Sequence, residues 1–201
     1  MKKGVLLGVV FVFWACSMVL AQQSFHLTVP VMRNLYFVHC TFEQEKDGWE
    51  GDTWVTNTLF ERDDAVAYSG QYSMHVFVPE VAGYLTIGVR PENWSLDRYP
   101  YVEFAYKIPR GTPVGLFFQI AEGDHWVCLG GTSAHNHGWY PANDICILID
   151  DNTWHTVVIN ARDAIKSIDP SYDTIYEFEW WTAGNAQPGS QFWFDEFIIK
   201  E

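Results

Sequence analysis

Residues 101–108 read Tyr-Val-Glu-Phe-Ala-Tyr-Lys-Ile, an octet in which Val102, Phe104, Tyr106 and Ile108 alternate with Tyr101, Glu103, Ala105 and Lys107. Successive side chains of a strand point to opposite faces, so this period of two predicts a strand with the first set on a core and the second outside. The pattern recurs outward from the octet in both directions. Strands are expected over 35–42, 73–79, 83–90, 101–108, 114–122, 125–130, 144–150, 154–160, 176–184 and 192–200, broken by Gly, Pro, Asn and Asp. The one helical candidate is ARDAIKSI at 161–168, expected as a surface connector. Ten strands at this spacing predict an all-β domain, a two-sheet antiparallel β-sandwich or jelly roll.

The start of the chain has a different grammar. Lys2 and Lys3 precede an apolar run that closes on Ala21, the pattern of a secretory signal peptide over 1–21. Lipid attachment at Cys16 is the alternative, but Phe13 and Trp14 are bulky for that processing site. The run is short for a spanning helix, so no membrane insertion is expected once the leader is removed. A secreted, extracellular or periplasmic protein follows, with 22–201 as a single domain. The net charge is −13, and −15 without the two leader lysines, a balance that repels phosphate backbones and makes nucleic acid an unsuitable partner. Of the four cysteines, Cys40, Cys128 and Cys146 lie beyond the leader. Cys128 and Cys146 end two strand-like runs around a polar loop, and a disulfide there would close about 17 residues and add about 3 kcal/mol in the chain-entropy model. Cys40 is expected as a packed core thiol.

Two segments place a carboxylate inside apolar, strand-like sequence: Phe42-Glu43 before Gly48-Trp49, and the closing QFWFDEFIIKE around Asp195. An unpaired charge there costs several kcal/mol, so both carboxylates are expected to share a cation or a dense set of donors, tying the first strand to the last.

In order along the chain, FEQEKDGWEGD, AYSGQYSMHV, YPYVEFAYKIP, DDNTWHTVVINA and FWFDEFIIKE resemble the galactose-binding-like β-sandwich of carbohydrate-binding modules attached to secreted xylanases and β-glucanases. The resemblance runs over nearly the whole mature chain. It implies a structural Ca²⁺ held by Glu43, the turn at Ser69–Gly70 and Asp195, with Glu45 a weaker candidate; carboxylates and turn carbonyls from distant segments supply the six to eight oxygens that calcium takes. The alternative is that Glu43 and Asp195 only accept hydrogen bonds. The resemblance also implies a sugar site and makes Trp49 and Trp154 structural.

Nine of ten tryptophans lie beyond the leader, and a flat indole covers the C–H face of a sugar ring well. Alternation places Leu116, Phe118, Ile120, Tyr176, Phe178 and Trp180 inward and Phe117, Gln119, Glu177, Glu179 and Trp181 outward. A face bearing carboxylates, an amide and an indole suits polysaccharides or oligosaccharides, whose hydroxyls need directional partners beside an apolar platform. The competing expectation is that the loops 91–100 and 131–143 cover this face. The second loop, with Trp139 and Tyr140, forms with Trp126 the candidate recognition edge, so Gln119, Trp126, Trp139, Tyr140, Glu179 and Trp181 are the candidate ligand residues. His135 and His137 have metal-ligand spacing but no third ligand.

A binding module rather than an enzyme is expected, with no catalytic residues assigned. Glu177 and Glu179, or Asp150 and Asp151, are acidic pairs of the kind glycoside hydrolysis uses, which keeps a small polysaccharide-cleaving enzyme as a rival. A structural module of a larger extracellular assembly is the third reading. No nucleophile elbow, phosphate loop or dinucleotide fingerprint is present.

Overall fold

The computed structural model describes residues 36–51, 58–80, 82–83, 85–121, 125–135, 142–182 and 186–201. Two six-stranded sheets face each other. The first is ordered β11 (Trp154–Asn160), β7 (Tyr101–Lys107), β14 (Gln191–Lys200), β4 (Ser73–Phe77) and β3 (Leu59–Asp63), with β1 (Tyr36–Cys40) beside the far half of β14. The second is ordered β10 (Ala142–Ile147), β9 (His125–Gly131), β8 (Gly115–Ala121), β13 (Glu177–Trp181), β5 (Thr86–Val89) and β2 (Glu50–Gly51). A separate ribbon joins β6 (Trp94–Ser95) to β12 (Thr174–Ile175). Among the described residues, all strand pairings are antiparallel except β10 with β9. The all-β sandwich is therefore as expected from the alternation.

The space between the sheets is filled largely by aromatic rings. Phe104 meets Trp180 at 4.8 Å, Phe178 meets Phe197 at 5.0 Å, and Trp49 meets Phe194 at 4.5 Å, mostly as edge-to-face or tilted pairs that suit the ring quadrupole. Trp49 is core, as expected, while Trp154 is half-buried beside Tyr68. Trp193 lies on the outer face of the first sheet, stacked on His75 at 4.6 Å. The helix α1 (Ala161–Ile168) coincides with the segment anticipated; Asn160 caps it by accepting from Asp163 N at 3.0 Å, and Ala161, Ala164 and Ile165 face the core.

The alternation of β7 and β8 is obeyed, with Val102, Phe104, Tyr106, Ile108, Leu116, Phe118 and Ile120 all buried. Ala105, expected outside, is buried too, opposite Asp195 in register. Tyr176 is a correction. It was expected on the core but is 42% exposed, because β13 starts only at Glu177 and the preceding residues leave the sheet to pair with β6.

The Cys128–Cys146 bridge is also corrected: Cys40, Cys128 and Cys146 are all buried thiols outside any disulfide. Gly130, at φ +131, belongs to a bulge in β9 where Leu116 pairs with Gly130 but Phe117 pairs with Cys128. Between Val127 and Leu129, which both face the core, alternation puts Cys128 on the face away from it, against His135 Nε2 at 3.5 Å, while Cys146 packs between the sheets. Sulfurs on opposite faces of a sheet cannot join. Burial pushes Cys40 and Cys146 up to about 12, so both stay protonated.

Candidate functional site

The outer face of the second sheet carries the outward residues of β8 and β13 in rows across the strands. Gln119 stands between Trp126 and Glu177 in one row. In the next, Cys128, Phe117, Glu179, Gly88 and Glu50 follow one another across five strands. In a third, Trp181 stands between Gly115 and Thr86. Register alone thus brings Gln119, Trp126, Glu179 and Trp181, four of the expected ligand residues, onto one face. Trp139, Tyr140 and His137 lie outside the described residues.

This face is a cleft and not an open plane. Gln119, Glu177 and Glu179 are 6–7% exposed and Phe117 is buried, so the polar atoms are held at depth. The aromatic end is built by Phe117, which meets Trp181 edge-on at 4.8 Å and His135 at 5.6 Å. His135 lies over Gly115, where any Cβ would collide with the imidazole, and beside Gly131, where a Cβ would collide with the Val114 carbonyl. His135, at the described start of the 131–143 loop, therefore lies over this end of the face. At the other end, Gly48, Gly51 and Gly88 leave a cavity of about 320 Å³ bordered by Glu50, Arg90, Glu177 and Glu179. A Cβ on Gly88 would stand 2.5 Å from Glu177 Oε1, so the glycine is what lets the carboxylate lie flat on the strand.

Each carboxylate on the floor is oriented by a neighbour. Glu177 Oε2 accepts from Arg90 Nε at 2.9 Å, and Glu179 Oε1 accepts the Thr86 hydroxyl. Fixed acceptors beside a fixed indole are the groups that bind sugar hydroxyls and C–H faces at little entropy cost. Sequence reasoning missed Arg90, Thr86, Glu50 and Gly88, since their place beside Glu177 and Glu179 depends on which strand pairs with β13. The other acidic pair is not a matched pair of acids. Asp151 is held down to about 2 by hydrogen bonds from Thr153 and His155, whereas Asp150 accepts from Gly111 N at 2.7 Å.

The second candidate feature is the clasp around 68–72. Asp195 Oδ2 accepts from Tyr68 N and Ser69 N, both at 3.1 Å, and Oδ1 from Glu196 N at 2.8 Å. Glu43 Oε1 accepts from Gln71 N at 3.0 Å and Tyr72 N at 3.1 Å, with Gly70 at φ +61 leaving room for it. The dense set of donors expected for the two carboxylates is present, and the segments after β1 and within β14 grip the same turn. Asp195 is fully buried, and that burial, only partly offset by the three N–H donors, pushes its carboxyl up to about 6. Arg62 completes the region, donating to the carbonyls of Phe42, Glu43 and Gln44 at 2.5–2.8 Å and stacking on Tyr72. Among the described residues no three side chains of His, Cys, Asp or Glu gather as a metal-ligand group. The donor set fits a hard cation only with Glu43 and Asp195 supplemented by backbone carbonyls.

No protein-family model and no curated protein matches the chain. Solved structures do. The C-terminal family 22 carbohydrate-binding module of Clostridium thermocellum Xyn10B superimposes with a TM-score of 0.51 at 14% identity, over 83% of this chain and 94% of that one. A xylan-binding domain of the same module family gives 0.49 at 14% identity over 82% and 94%. The family 11 module of C. thermocellum, solved with a β-1,3-1,4-mixed-linked tetrasaccharide, gives 0.48 at 11% over 81% and 94%. At 14% identity the likeness to the first of these is one of fold alone: a two-sheet β-sandwich jelly roll.

Proposed function

We propose that the chain is a secreted, non-catalytic module that binds polysaccharide in the cleft of the second sheet. The observation that carries the reading is the convergence of Gln119, Glu179 and Trp181, with Trp126 alongside, on one sunken face floored by glycines. An indole backed by Phe117 covers a sugar's apolar face, and the carboxylates and amide take its hydroxyls. Glu177 and Glu179 are oriented by Arg90 and Thr86 as acceptors, which suits holding a sugar better than passing a proton.

The same reading includes a calcium ion at the clasp, with Glu43 and Asp195 as its side-chain ligands and the turn at Ser69 supplying carbonyl oxygen. Its role would be to neutralise two carboxylates in a buried setting and so pin the terminal strands. The supporting observation is that both carboxylates close on one five-residue turn and one of them is fully buried.

The test is calorimetry of the mature domain with glucans, xylans, mannans and uronates, each mixture being assayed for newly formed reducing or unsaturated ends. Saturable heat without new ends is the expected result. New ends abolished by Glu179→Gln would establish a cleaving enzyme instead, and silence across the panel would move the chain to the protein-binding modules.

A further inference from the structure

A second cavity, of about 810 Å³, opens beyond the end of the cleft between the segments 90–94 and 172–176, with Tyr172, Tyr176, Asn93, Thr174 and Ile120 among its lining. Arg90 borders this cavity and the one over Gly88 alike, so the two spaces meet at one side chain. Resting on the reading that the cleft binds polysaccharide, we propose that Tyr176 is a second sugar platform. The ligand is then a run of several sugars lying along β13, from Trp181 to Tyr176, as the interior of an extended chain.

The position of Tyr176 follows from the backbone. Its amide donates to Gln119 O at 2.8 Å where β13 breaks away toward β6, and the bend turns the ring out of the core to 42% exposure. The Arg90 guanidinium lies 5.8 Å from the ring centroid while its Nε holds Glu177. A ring placed by a backbone bend and flanked by an oriented guanidinium loses little freedom on binding. Trp181 has the matching arrangement at the opposite end, with Phe117 against it. Glu179 and Glu177 lie in sequence between them on the same strand. β13 itself, from Glu177 to Trp181, rises about 13 Å at about 3.3 Å per residue, and Tyr176 lies past its end, so the two platforms are further apart than one sugar ring can bridge. An occupant touching both must be an extended oligomer running parallel to the strand.

The test is calorimetry with cello-, xylo- and manno-oligosaccharides of two to six sugars. Affinity is expected to rise with length up to the span of the two platforms. Tyr176→Ala is expected to weaken the longest ligands about tenfold while leaving the shortest within about twofold, and Tyr176→Phe to keep the full affinity. Trp181→Ala is expected to weaken every length. An unchanged thermal midpoint for Tyr176→Ala, expected for an exposed ring, confirms that the domain is intact. Identical binding of all lengths by Tyr176→Ala and the unaltered protein would overturn the second platform and leave the cleft standing. So would an equal loss at every length. Absence of glycan binding by the unaltered protein would overturn the polysaccharide reading and the platform with it.

Discussion

Asp195 shows how a single side chain links the two ends of the chain. Its folded carboxyl is pushed up to about 6 from an ordinary 3.8, mainly by burial, so the folded state holds its proton more tightly than the unfolded one. The stability from this group is therefore fully present below about pH 4 and is lost as pH rises through 6. Asp151 acts in the opposite sense, since its depressed value contributes stability above about pH 4 that is lost as pH falls toward 2. The Asp195 signature is thus read as a difference: between pH 4 and 6, calcium-free protein is expected to lose stability with rising pH relative to Asp195→Asn, by chemical denaturation at each pH. At neutral pH the same substitution turns an N–H donor toward backbone donors and is expected to cost about 2 kcal/mol. The thiols give a second check at this scale. Denatured, non-reduced protein is expected to titrate one thiol at each of Cys40, Cys128 and Cys146, and native protein none, because all three are buried. A bridged pair would leave one.

At the scale of elements, the last strand could be read more fully than its alternation first suggests. Phe192 and Phe194 face the core, then Phe197 and Ile199, so the apolar spacing slips by one at Asp195–Glu196. The structure has a bulge there, with Glu196 at φ +49, and the bulge aims Asp195 at the 68–69 turn. The edge strands were harder. β3, with the sequence LFERD, owes its place to pairing with β4 and to the Arg62 contacts with the carbonyls of 42–44, neither of which leaves a periodic signal. β10 presents Ile145 and Ile147 to solvent, the latter 81% exposed, on the open edge of its sheet. Exposed apolar edges promote strand pairing between molecules. Ile147→Lys is expected to reduce concentration-dependent association by light scattering while shifting stability by no more than about 0.5 kcal/mol. On the cleft floor, Gly88→Ala is expected to weaken glycan binding with little loss of fold, as its methyl group would push Glu177 aside.

Across the whole molecule, the clasp at 68–72 and the cleft lie on different sheets, so their failures separate. Calcium is expected to raise the thermal midpoint and chelation to lower it, while Glu43→Gln and Asp195→Asn remove that calcium response; a midpoint indifferent to calcium would show that backbone donors alone serve the clasp. Cleft variants such as Trp181→Ala are expected to lose binding and keep the calcium response. With an excess of acidic residues throughout the chain, polyuronates are expected to be repelled and neutral glycans not, which calorimetry with both classes would read.

Alternation in the sequence by itself determined ten of the strands and the parity of the cleft residues, because a period of two is a local property of the chain, while the short β2, β3, β6 and β12 carry no such signal. The carboxylates at Glu43 and Asp195 were legible for a similar reason: charge in apolar sequence demands partners wherever it ends up. Tertiary structure alone decided that Tyr176 leaves the core, that the strand carrying Cys146 turns it between the sheets while Cys128 lies outside them, and that Arg90, Thr86 and Gly88 join Glu177 and Glu179. Those outcomes depend on strand order and on one-residue shifts of register, which arise from pairing between segments far apart in the chain and leave no trace in the spacing of either segment.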